Sequence, residues 1–123
     1  MTAPIFFTLS LDKNKQGKHD PEHPNYQAGK SILSIDIAEK ILIEFSGTGI
    51  LYDKGGEREV VKTNNTYKGI WLNEFGDSVI TSRFTIHNSK SGAHVVPSNP
   101  VAELIVRKQI PYKSYKRNTN KDK

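Results

Sequence analysis

Cysteine is absent from the 123 residues. That excludes a disulfide framework and any thiolate metal site, and it suits a reducing, cytoplasmic setting. Tryptophan and methionine occur once each. Long apolar runs are missing too. The N-terminal MTAPIFFTLSLDK has no basic segment before its apolar stretch, which stops at Leu11. The expectation is neither a signal peptide nor a membrane span. Internal repeats and low-complexity blocks are also missing. With 35% hydrophobic and 25% charged residues, the chain can build one core and not two, and part of it must stay polar.

What is present is an uneven charge. Residues 107–123 carry seven bases, Arg107, Lys108, Lys113, Lys116, Arg117, Lys121 and Lys123, against the single acid Asp122, a net of +6. The remaining 11 bases and 12 acids leave the body at −1, so the whole excess of +5 sits in the tail. A cationic arm on a neutral body is a handle for a polyanion.

Periodicity predicts strands. Ile5, Phe7, Leu9 and Leu11 alternate with Phe6, Thr8 and Ser10, the pattern of a half-buried strand. Residues 13–30 hold two prolines, two glycines and one large apolar residue, Tyr26, and read as an extended polar loop. In 31–45, Leu33, Ile35, Ile37, Ile41, Ile43 and Phe45 all fall on odd positions, predicting one long strand or two kinked near Glu39. A strand over 50–53 leads through Lys54-Gly55-Gly56, a hairpin signal, into a strand over 57–62. Further strands are expected over 67–72 and 78–87, with a turn at 73–77 between them. Residues 89–99 read as loop. Residues 100–109 read as a short helix capped by Asn99 with Pro100 first, or as a last strand.

The fold class that follows is mainly β, with antiparallel sheets forming a small sandwich or barrel, one short C-terminal helix and a basic arm. The domain would span 1–110 and the tail 111–123.

Several constellations bear on function. The tail interleaves its cations with Tyr112 and Tyr115, and cations with aromatic rings suit phosphates and unpaired bases. In 67–72, Tyr67 and Trp71 flank Gly69 on one side, the shape of a stacking platform if Ile70 and Leu72 face the core. In 78–87, Ile80, Phe84 and Ile86 are assigned inward. Val79, Thr81, Arg83, Thr85 and His87 line the other side, able to bind phosphate, or to cleave RNA with His87 as general base. His19 and His23, four apart, would share a helix face, but Pro21 and Pro24 forbid a regular helix. They identify no metal site for lack of a third ligand. Gly29-Lys30-Ser31 fails as a phosphate loop and Gly47-Thr48-Gly49 as a dinucleotide fingerprint, so no cofactor is expected.

The sequence therefore predicts a non-catalytic nucleic-acid-binding protein, with DNA or RNA as partner. Its contacts would come from Tyr67, Trp71, Arg83, Arg107, Lys108, Tyr112, Lys113, Tyr115, Lys116 and Arg117. The alternative is an assembly subunit whose loop and arm contact other subunits or copies of itself. The third reading is a small metal-independent nuclease using His87 or His94 with Arg83.

Overall fold

The computed structural model describes residues 10–52 and 58–101. Along the chain come α1 (Lys13–Gly17), α2 (Ile35–Phe45), β1 (Ile50–Tyr52), β2 (Arg58–Lys62), β3 (Gly69–Leu72), β4 (Ser78–Thr81), β5 (Arg83–Ser89) and β6 (Gly92–Pro97). Four strands form one antiparallel sheet in the order β1-β2-β5-β6, and β3 pairs with β4 in a second, two-stranded sheet. The fold is mainly β and antiparallel, with two sheets and no closed barrel among the described residues. The turn expected at 54–56 lies outside them, but the strands on either side pair as anticipated, Tyr52 opposite Arg58 and Ile50 opposite Val60.

The strand expected over 31–45 is a helix. Ser34 caps α2, its hydroxyl accepting from the Ile37 N–H at 3.2 Å, and Asp36 sits in the first turn, where a carboxylate is favoured. Ala38, Ile41 and Leu42 are fully buried, and Ile37 and Phe45 pack beside them. These positions recur at helical spacing and make one stripe. The odd-numbered pattern misled because it counted Ile43, which is 55% exposed, and gave no weight to Ala38 and Leu42 at even positions.

The stripe of α2 covers the inner face of the large sheet. Val61 of β2, Phe84 and Ile86 of β5, and Ala93 and Val95 of β6 join it in one core cluster with Leu33. Each fully buried Leu, Ile or Phe stabilises the fold by roughly 1.5–3 kcal/mol relative to exposure. Glu59 is buried on this face too. Its carboxylate accepts from the N–H groups of Gly47 at 3.0 Å and Gly49 at 2.7 Å, which fixes the turn from α2 into β1. Gly49 has to be glycine, because a Cβ there would collide with the Val60 carbonyl.

Residues 78–87 are two strands, not one. The chain bends at Ser82, and the alternation changes phase there. Ile80, expected inward, is 69% exposed, and Thr81, expected outward, is 2% exposed with its hydroxyl accepting from the Arg83 N–H at 3.0 Å. Phe84 and Ile86 do face the core. The loop expected over 89–99 contains β6, joined to β5 by a tight hairpin that sets Ser89 against Gly92.

Residues 13–30 are ordered as well. Asp12 caps α1 through the N–H groups of Asn14 and Lys15. The chain then turns repeatedly, and Asp20 bonds the N–H of Ile35 at 3.0 Å. Gln16 is fully buried; its amide donates to the Val95 carbonyl at 2.8 Å and accepts from the Val95 N–H at 2.7 Å. Asp12 N–H donates to the Ala93 carbonyl, and Ala93 N–H to the Ser10 carbonyl. Together they satisfy the outer edge of β6, where open backbone groups would invite another strand. The scarcity of large apolar residues in 13–30, Tyr26 alone, hid this, because the segment is held by hydrogen bonds.

Candidate functional site

The outer face of the large sheet follows from register. Residues opposite one another across antiparallel strands lie on the same face. Arg58 is opposite His87, and His87 opposite His94, giving a row Arg58–His87–His94 at one end of the sheet. The next row is Val60–Thr85–Val96, and the last begins with Lys62–Arg83. Arg58 and Lys62 are exposed and Val60, Thr85, His87, His94 and Val96 half-buried.

The histidines are in contact. The rings of His87 and His94 stack with centroids 4.7 Å apart and planes 13° from parallel. His19, carried in by the α1 segment, lies on the other side of His94 with centroids 6.0 Å apart. His19 is buried, with Nδ1 2.8 Å from the Ser31 carbonyl. Since a carbonyl only accepts, Nδ1 carries the proton. Burial lowers the pKa of His19, partly opposed by that hydrogen bond and helped by Lys30 and Lys18. His94 is pushed down to about 4, first by burial, then by the charges of His87, His19 and Lys15, with Asp12 opposing weakly. His94 is therefore a neutral imidazole at pH 7, flanked by the rings of His87 and His19. Among the described residues no three His, Cys, Asp or Glu side chains are placed to hold a metal ion.

The residues singled out from sequence scatter. Tyr67 packs against the inner core, meets Phe45 edge-to-face at 6.3 Å, and its hydroxyl donates to the Glu44 carboxylate. Gly69 is closed over by Pro97 and Phe84. The platform of Tyr67, Gly69 and Trp71 therefore does not form, because that side of β3 faces the core. Trp71 is half-buried on β3, opposite Val79. Arg83 does lie on the outer face, largely buried, with Nη1 donating to the Asn99 carbonyl at 2.8 Å. It is four residues from His87 and not in its row. His23 does not join His19; its Nδ1 accepts from the Asn25 N–H at 3.0 Å. Asn99 caps the N–H of Val101 at 3.0 Å. The remainder of 100–109 lies outside the described residues, as do Arg107, Lys108, Tyr112, Lys113, Tyr115, Lys116 and Arg117.

Sequence reasoning had no reason to join His87 to His94. The signal was present in Ser89-Lys90-Ser91-Gly92, which read as a tight hairpin would have placed the two opposite each other.

A small antiparallel sheet backed by a helix, with a row of histidines and arginine on its outer face, is a scaffold that offers polar side chains to a substrate. The family model Ntox50, described as Bacterial toxin 50, matches residues 11–97. That is 87 of the 123 residues, and the chain belongs to this family of bacterial toxin domains. No curated protein matches it. Membership corrects the functional expectation. A toxin domain is neither a passive nucleic-acid binder nor an assembly subunit, and the expectation of a non-enzyme goes with them. The tail on which those readings leaned lies beyond the matched residues, whereas the histidine row lies within them.

Proposed function

We propose that this toxin domain is a metal-independent ribonuclease whose centre is the stacked pair His87 and His94, with Arg58 and Lys15 as phosphate-binding cations. The observation that carries the reading is the pair itself. It stands on an outer sheet face with its rings 4.7 Å apart and His94 held neutral beside cations. Two stacked imidazolium ions would repel, and His94, held neutral, is the ring of the pair able to accept a proton.

That division suits RNA cleavage. The neutral imidazole of His94 takes the proton of a ribose 2′-hydroxyl. The freed oxygen attacks the adjacent phosphorus, a P–O2′ bond forms, and the P–O5′ bond breaks. The leaving oxygen takes a proton from the His87 imidazolium. Arg58, opposite His87, and Lys15, whose charge reaches His94, offset charge growing on the phosphoryl oxygens. The products are a 2′,3′-cyclic phosphate and a 5′-hydroxyl, and exchange with water resets the two rings. His19 orients His94 by stacking.

The test is turnover of a labelled RNA in excess chelator. His87→Ala and His94→Ala should each lower kcat by about 10²–10⁴-fold. The product should carry the cyclic phosphate, and the same oligonucleotide in DNA should stay intact, lacking the attacking hydroxyl. Cleavage of DNA at a comparable rate, or full activity in both variants, would overturn the reading.

A further inference from the structure

Beyond the histidine row, the outer sheet face ends in an open cleft of about 370 Å³. Lys62 and Arg83, opposite each other on β2 and β5, both line it. Asn64, Asn65, Ser82 and the exposed Ile80 line it as well. None of the lining residues is a carboxylate. The lining thus joins two cations, two amides, the hydroxyls of Thr81 and Ser82, and the apolar side chains of Ile80 and Pro100.

The cleft is built rather than incidental. Asn64 and Asn65 both have positive φ, 51° and 68°, a left-handed conformation that asparagine tolerates better than most residues. The turn is locked by the Asn65 N–H donating to the Ser82 hydroxyl at 2.7 Å and by the Thr66 N–H donating to the Thr63 carbonyl at 2.9 Å. Arg83 is held by its bond to Asn99. Lys62 is exposed.

We infer that this cleft is a subsite for a nucleotide of the RNA strand flanking the one that is cut. The inference rests on the ribonuclease reading and deepens it. Arg83 and His87 are four positions apart on β5, about 13 Å at the rise of a strand. Phosphates advance about 3.4 Å along a stacked strand and farther along an extended one, so no more than about four nucleotides span the gap. Lys62 and Arg83 take a phosphate, the Asn64 and Asn65 amides meet a base edge, and Ile80 lies against the base face. The intervening row, Val60–Thr85–Val96, holds no acid, and the Thr85 hydroxyl meets that of Ser98 beside Arg83 at 2.6 Å. Among the described residues, a strand laid from the histidines to the cleft therefore meets no carboxylate in that row.

The experiment compares short and long ligands on the full chain. Binding is measured by fluorescence anisotropy with 2′-O-methyl oligonucleotides, which cannot be cut, as a dinucleotide and as a hexanucleotide. Wild type should bind the hexamer several-fold tighter. Lys62→Glu should erase that advantage, leave dinucleotide binding unchanged, and reduce the slope of log K against log salt for the hexamer by about 0.7, one phosphate's worth. Ile80→Ser should weaken the hexamer alone without changing the slope. An undiminished hexamer advantage in Lys62→Glu, or an equal loss for both lengths, would overturn the subsite. The two readings fail separately. If wild type cuts no unmodified RNA, the ribonuclease reading falls, and the subsite with it. If wild type cuts RNA and Lys62→Glu keeps the length preference, only the subsite falls.

Discussion

His94 sits where three demands meet. It is in a strand, so its backbone is committed to the sheet. Its ring stacks between His87 and His19, so it is packed like an apolar group. It also lies within reach of Lys15. A histidine treated this way is held neutral, and that ties stability to pH. In the unfolded chain His94 binds a proton below about pH 6.5; folded, it does so only near 4. Between these values the unfolded state holds more protons, so stability rises with pH. His19, also lowered by burial, acts with the same sign. Asp12 is lowered as well, first by the Lys15 N–H, but its contribution is lost only below its ordinary value of 3.8. The urea midpoint should therefore be complete above about pH 6.5 and fall as pH drops towards 4. His94→Gln should flatten that fall. A wild-type midpoint that is level across the window would show that the imidazoles are not held neutral by the fold.

Among the elements, α2 gives the sharpest test. A strand through 31–45 would place Ile41 and Ile43 on one face and Leu42 on the other. The helix buries Ile41 and Leu42 together and leaves Ile43 55% exposed. Leu42→Ala should cost about 2–5 kcal/mol through the cavity it leaves. Ile43→Ala should stay within about 0.5 kcal/mol, since the site is exposed and alanine is the better helix former. Denaturant midpoints of the two variants decide it, and equal large losses would rule the helix out. The β4–β5 bend obeys the same logic. Thr81 is buried with its hydroxyl on the Arg83 N–H, so it behaves as core although a single uninterrupted alternation puts it outside.

For the whole molecule the dominant asymmetry is charge. The toxin-family match ends at residue 97, and the net +6 lies in 107–123. If the substrate is RNA, the tail adds affinity by releasing counterions and leaves the chemistry alone. Deleting 113–123 removes five cations. KM should rise, kcat should hold, and the salt slope should shrink by up to about 0.7 for each phosphate no longer neutralised. Steady-state kinetics at several salt concentrations read all three. A fall in kcat with an unchanged salt slope would mean that the tail serves the centre directly.

The sequence by itself determined the class and much of the sheet. Hairpin signals, the alternation of Phe84 and Ile86, and the turn at 73–77 are local, and short-range sterics and burial suffice to specify them. It also determined the division into a neutral body and a cationic tail, which is a matter of composition. Only the tertiary structure decided that 31–45 is a helix, because period two and period 3.6 both fit a run rich in isoleucine until a sheet is there to be covered. It alone decided the candidate centre. His87 and His94 meet through the β5–β6 hairpin, whose turn signal in Ser89-Lys90-Ser91-Gly92 names no partner for either ring. His19 reaches them from the α1 segment, which Gln16 fastens to the edge of β6. Contacts between residues 75 to 79 positions apart depend on how elements dock, and docking is set by the sum of burial and edge pairing, which no local stretch of sequence carries.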